Sequence, residues 1–157
     1  MPTSPLETPR IFLDSSVLIA GVASFTGASR AILVLAELGL LKLVVCPYIL
    51  KETDRNLAKK LPEALPYYRR LCNSLDWEVV SDPLPGDVRR WAGIIEAKDA
   101  PILAAAVEAK PARLVTLDTK DFTPETAEQA ELAICTPGDL LREIRALLEG
   151  KFASPPT

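Results

Sequence analysis

The fold of this chain is most constrained by a series of short apolar runs separated by segments of helical length. The runs cover residues 11–13, 43–46, 77–80, 113–117 and 132–135. Those without polar alternation, such as IFL and LVVC, read as strands buried on both faces, which is the pattern of a parallel sheet. Parallel neighbours need long crossovers, and the intervening segments supply them as helices. The expectation is an α/β fold: a three-layer α/β/α sandwich around a mainly parallel five-stranded sheet, with right-handed crossovers. Helices are expected over residues 15–24, 29–41, 47–61, 62–75, 87–97, 99–109 and 137–148. Ser29 is the expected N-cap of the second, and Pro47 falls in the first turn of the third. Residues 10–150 then form one domain, with 1–9 as an N-terminal extension and 151–157 as a flexible tail.

Composition narrows the setting. The 157 residues are 48% apolar and 25% charged, the balance of a globular domain. The longest uncharged apolar stretch, residues 17–25, is far short of the ~20 residues of a membrane span. The first residues lack a charged segment followed by an apolar one, so no secretory signal is expected. Cys46, Cys72 and Cys135 are scattered and form no CxxC pair, the pattern of reduced thiols in a cytoplasmic protein.

Histidine is absent. That excludes Ser-His-Asp hydrolysis, a histidine-pair ribonuclease mechanism, histidine-ligated zinc and an imidazole pH switch. Neither GxxxxGK[ST] nor GxGxxG is present, so no nucleotide phosphate cradle is expected. The acids are distributed more tellingly. In an open parallel sheet, ligands bind beyond the carboxyl ends of the strands. Asp14 closes the first apolar run, Asp118 follows LVTL, Asp121 comes three residues later, Asp99 opens a helix, and Glu52 lies early in the helix after the second run. Each acid also has a purely structural role open to it. Asp14 and Asp99 can cap helices, Asp118 and Asp121 can shape a turn, and Glu52 can pair with Arg55. Gathered at one edge, two such charges 5 Å apart repel by roughly 3 kcal/mol at an effective dielectric of about 20. A cluster of this kind calls for a proton, a basic neighbour or a cation. An all-oxygen donor set suits Mg²⁺ or Mn²⁺, whose chemistry serves phosphodiester hydrolysis.

The formal net charge is −3, yet residues 42–70 carry seven basic and three acidic side chains. Lys51, Arg55 and Lys59 are four apart and share one helical face. They form either an ordinary solvated face or a track for a phosphate backbone beside an acidic site.

Four segments carry a resemblance to the PIN-domain family, and within it to VapC-like ribonucleases: IFLDSSVLIAG (11–21), ILKETDRNL (49–57), AKDAPILAAA (97–106) and LVTLDTKDF (114–122). They span nearly the whole chain in the family's order. By this resemblance Asp14, Glu52, Asp99 and Asp118 are the four catalytic acids. Asp14, Asp99, Asp118 and Asp121 are the implied metal ligands, and Glu52 ligates metal or orients the attacking water. Thr116 matches the hydroxyl before the fourth acid. The resemblance implies a Mg²⁺- or Mn²⁺-dependent endoribonuclease acting on single-stranded RNA, of a kind found as the toxin of a toxin–antitoxin pair with a small antitoxin partner. It also implies a homodimer, for which helices 29–41 and 62–75 are the candidate surfaces. The competing readings are a non-catalytic PIN-like RNA-binding or interaction module and an aspartyl phosphotransferase or receiver domain. The DxDxT motif of the phosphotransferases and the paired acids of receivers are both absent.

Overall fold

The structure, a computed structural model, describes residues 7–152. Of the expected extension and tail, residues 1–6 and 153–157 lie outside the described residues. Among the described residues, five strands form one sheet: β1 (Arg10–Leu13), β2 (Lys42–Val45), β3 (Glu78–Val79), β4 (Arg113–Val115) and β5 (Ile134–Cys135). Their order is β3-β2-β1-β4-β5 and every pairing is parallel. Register is set by Phe12 opposite Val44 on one side and Leu114 on the other. Side chains alternate across a strand, and Ile11, Phe12 and Leu13 are all no more than 1% exposed. Both faces of β1 are therefore covered, as the unbroken apolar run requires. This is the expected α/β architecture with a wholly parallel sheet.

Among the described residues, eight α-helices accompany the sheet: α1 (Ser15–Ala23), α2 (Ala28–Glu37), α3 (Pro47–Lys60), α4 (Leu65–Ser74), α5 (Pro85–Arg89), α6 (Ala100–Ala109), α7 (Pro124–Ala130) and α8 (Pro137–Phe152). Proline lies in the first turn of α3 through α7, where its missing N–H costs nothing. No single helix among the described residues is long and apolar enough to cross a membrane.

Several boundaries differ from the sequence reading. The helix expected over 87–97 shrinks to α5, and Gly93 at φ +80° then turns the chain through a loop that reaches Asp99. Ser29 does not cap α2. Gly27, at φ +102°, takes that position, and Ser29 is buried one turn-step inside the helix. Only glycine adopts that backbone freely, so its conformation outranks the better capping side chain. The same helix stops at Glu37 because Gly39 (φ +77°) reverses the chain. Segment 62–75 opens as a 3-10 turn, Pro62–Ala64, before α4. Helix α7 was not expected. Its Thr123 cap, accepting from the Thr126 N–H, was legible as Thr-Pro-Glu.

From β1 the chain winds outward through β2 to β3, then returns to β4 on the other side of β1. The winding reverses between β1 and β4, where an open α/β sheet leaves its binding crevice. The α1–α2 corner, bent by 92°, is packed tightly enough to need a glycine. A Cβ on Gly21 would lie 2.7 Å from Leu33 Cδ1 and 3.1 Å from the Ser29 carbonyl oxygen. Gly21→Val is expected to lower the free energy of unfolding by about 1–3 kcal/mol through overpacking, read as a shift of the urea midpoint.

Candidate metal centre

The β1–β4 pairing brings together residues about a hundred positions apart. Asp14 follows the last residue of β1, and its N–H bonds to the Val115 carbonyl at 3.1 Å. Beyond β4, the Thr116 hydroxyl donates to Asp14 Oδ2 at 2.8 Å and accepts the Asp118 N–H at 3.0 Å. One buried threonine thus ties the Asp14 carboxylate to the backbone that carries Asp118. Ser16 donates to the same Asp14 oxygen at 2.8 Å and accepts the Leu117 N–H at 3.1 Å.

Asp14 and Asp99 stand at the N-cap positions of α1 and α6, yet neither side chain makes a capping hydrogen bond. Both are buried, at 4% and 6% exposure. The capping role open to them in the sequence is not the one they take, although each still gains from a helix N-terminus. Asp118 does shape its turn, accepting the Asp121 N–H at 3.1 Å.

Carboxylate oxygens of Asp99, Asp118 and Asp121 lie within 4.8 Å of one another. The tight group is therefore these three rather than Asp14, Glu52, Asp99 and Asp118. Hydrogen bonds hold Asp14 back toward Thr116 and Ser16, while Glu52 approaches from α3. Both stand close enough for charge to couple them: Asp14 acts on Glu52 and on Asp99. Glu52 Oε2 and Asp99 Oδ2 are buried with no hydrogen-bond partner. Burial, a hydrogen bond shared with Asp121, and the charges of Asp118 and Asp14 push the Asp99 carboxyl up to about 7, against a smaller opposing pull from Lys98. Burial and the Asp14 charge also raise Glu52, partly offset by the Ser15 hydroxyl, Lys98 and Arg55.

The nearest basic group to the triad, Lys98 Nζ, is 3.9 Å from Asp121 Oδ2 and 72% exposed, a weak counterion. Lys98 also accepts a hydrogen bond from the Tyr48 hydroxyl on its carbonyl, at 3.2 Å, which ties the loop before α6 to the start of α3. Ser16, Lys98 and Tyr48 were not singled out in the sequence. Their signals were faint: a serine two residues after Asp14 and a lysine just before Asp99. Lys51, Arg55 and Lys59 are exposed on α3.

The donor set fits a hard divalent cation. All the ligands available are carboxylate oxygens, two of those oxygens are buried without partners, and the excess negative charge has no adequate basic neighbour.

The sequence profile of the PIN domain matches residues 10–120. This chain belongs to the PIN-domain family. No curated protein sequence matches it. Among solved structures, PAE2754 from Pyrobaculum aerophilum is similar at 19% identity and a TM-score of 0.62, covering 88% of this chain and 97% of that one. VapBC2 from Rickettsia felis, solved bound to a DNA fragment from their promoter, is similar at 16% identity and a TM-score of 0.57, over 81% of this chain and 98% of that one. VapC20 from Mycobacterium tuberculosis, a sarcin-ricin loop cleaving toxin, is similar at 14% identity and a TM-score of 0.51, over 66% of this chain and 86% of that one. At these identities the likeness is one of fold.

The raised Asp99 carboxyl has a stability consequence in metal-free protein. Its folded value of about 7 exceeds its ordinary 3.8, so the folded state holds the extra proton between those values. Its stabilising contribution is therefore complete at low pH and lost as pH rises toward 7. In EDTA the melting temperature is expected to fall from pH 5 to pH 8. Asp99→Asn should flatten that fall and melt higher than the parent at pH 8. Added Mn²⁺ should raise the melting temperature of the parent at pH 8 and leave Asp99→Asn nearly unmoved.

Proposed function

We propose that this protein is a metal-dependent endoribonuclease that cleaves single-stranded RNA, and that it serves as the toxin of a toxin–antitoxin pair. The observation that carries the reading is the pair of buried, partnerless carboxylate oxygens on Asp99 and Glu52 within an acid cluster at the switch point. Asp14, Asp99, Asp118 and Asp121 would hold Mg²⁺ or Mn²⁺. Such a cation, when bound, lowers the pKa of water and offsets charge on the phosphate. Glu52, with its carboxyl raised by burial, either joins the ligands or orients the attacking water and takes up its proton. Thr116 and Ser16 keep Asp14 fixed, so little reorganisation is left to the reacting state. Lys51, Arg55 and Lys59 draw the RNA backbone toward the acids.

An antitoxin partner fits the apolar groove between α2 and α8, where Phe25 is 89%, Val34 43% and Leu148 52% exposed. A surface of that kind on a small protein is suited to association. A homodimer through the exposed faces of α2 and α4 is part of the same reading. The cytoplasmic setting goes with three free thiols.

The decisive assay is cleavage of a labelled single-stranded RNA with Mg²⁺, Mn²⁺ or EDTA. Asp14→Asn and Asp99→Asn keep side-chain size but remove charge. Each is expected to lose two to four orders of magnitude in rate, roughly 3–5.5 kcal/mol of barrier. Cleavage that persists in EDTA or survives both substitutions would assign the activity elsewhere. RNA binding without any cleavage would favour the non-catalytic module. Light scattering at micromolar concentration is expected to give a dimer, and a monomer would remove that part alone.

A further inference from the structure

The side of the molecule formed by α3 and α4 is basic in a chain that is acidic overall. A groove of about 570 Å³ runs between the two helices, with Lys51, Asp54 and Arg55 of α3 on one wall and Arg69, Cys72 and Asn73 of α4 on the other. Its floor is internally satisfied, since the Tyr68 hydroxyl donates to the Leu50 carbonyl at 2.9 Å. Its rim is not. Lys51 and Arg55 have no ion-pair partner among the described residues. Arg69 meets Asp54 only at 3.8 Å, with both side chains well exposed, at 64% and 45%. Three positive groups and one negative group thus line an open channel. Exposed positive charge without counterions is what a polyanion exploits, because each phosphate neutralised releases condensed ions.

The groove is joined to the acidic centre through α3. Glu52 lies between Lys51 and Arg55 in sequence but turns inward, where one of its oxygens is buried. Arg55, one turn further on, still bears on the Glu52 carboxyl electrostatically. A strand lying in the groove therefore runs along the same helix that carries Glu52 into the acidic centre.

We propose that the α3–α4 groove is the track for the phosphodiester backbone of single-stranded RNA next to the acidic centre, with Arg69 and Asn73 forming its second wall and Asp54 holding its affinity down. The choice of RNA as occupant rests on the ribonuclease reading. Arg69 is released from Asp54 when a phosphate enters, and Asn73 donates its amide to the same backbone. Asp54 opposes entry by like-charge repulsion, which keeps binding weak enough for product to leave.

The test is fluorescence anisotropy of a short labelled single-stranded RNA across a range of salt, with EDTA present so that no hydrolysis runs. Lys51→Ala, Arg55→Ala and Arg69→Ala are each expected to weaken binding about 3–10-fold at low salt and to reduce the slope of log affinity against log salt by about 0.7. Asp54→Asn is expected to tighten binding about 2–5-fold through the loss of one repulsive charge. Arg69→Lys should retain most of the affinity, and Arg145→Ala on α8 should change nothing. Circular dichroism of each variant separates lost binding from lost fold. A wild type that does not bind RNA at low salt overturns the track. So does an Arg69→Ala variant with unchanged affinity and slope, or an Asp54→Asn variant that fails to tighten. Binding that follows the expected pattern without cleavage in Mg²⁺ or Mn²⁺ overturns the nuclease reading and leaves the track standing. Cleavage with no response to Arg69 or Asp54 does the reverse.

Discussion

The parallel pairing of β1 with β4 is the contact on which the rest of the site depends. It places Leu13 opposite Val115, so that the next residue of each strand, Asp14 and Thr116, meets the other at the crevice. The ladder hydrogen bonds are ordinary, but they close a loop of about a hundred residues, and such closure is repaid only by burial. Here that burial is complete: Ile11, Phe12, Leu13, Leu114 and Val115 are all essentially inaccessible. The apolar strands stabilise the geometry, and the carboxylates beyond their ends are then presented without a choice.

That presentation works against stability. Three carboxylates within 4.8 Å repel one another, and two of the oxygens around them are buried without partners. The N-termini of α1 and α6 relieve part of this, as do the hydroxyls of Ser16 and Thr116 on Asp14. They do not relieve it all, and the elevated Asp99 carboxyl is the residue of the imbalance. A domain can carry such a local cost when its core is otherwise dense, and functional sites are where it is usually found. The same reasoning separates the two charged regions. The acids are buried or half-buried, and Asp14 is held by hydroxyls, whereas the basic groups of α3 and α4 remain exposed and only loosely paired.

Where sequence reasoning failed, it failed on backbone conformation rather than on hydrophobic pattern. Residues 87–97 have the composition of a helix, yet Gly93 at positive φ breaks it, and the resulting loop delivers Lys98 and Asp99 to the crevice. Ser29 has the better capping side chain, but Gly27 makes the turn that only glycine makes freely. Helix α7 is not legible from hydrophobic pattern because its seven residues carry little apolar periodicity, and its Thr123 cap is its strongest local signal. At the site, Asp14 and Asp118 were legible because each follows a buried apolar run. The grouping of Asp121 with Asp99 was not legible, since it depends on how far the Asp118 turn swings back toward α6.

The sequence by itself determined the layering of this protein and the chemistry open to it. Short unbroken apolar runs between segments of helical length read as strands covered on both sides, and acids at strand ends, with no histidine and no paired cysteines, leave an all-oxygen donor set that suits a hard cation. What only the tertiary structure decided was which acids meet. Asp14 turns toward Thr116 and Ser16, Asp99 declines its cap, Asp121 folds back onto Asp118, and Arg69 comes to face Lys51 across a groove. These outcomes follow from strand register, turn geometry and helix packing. Each of these depends on residues distant in the chain, and so none is encoded in the local pattern around any one acid.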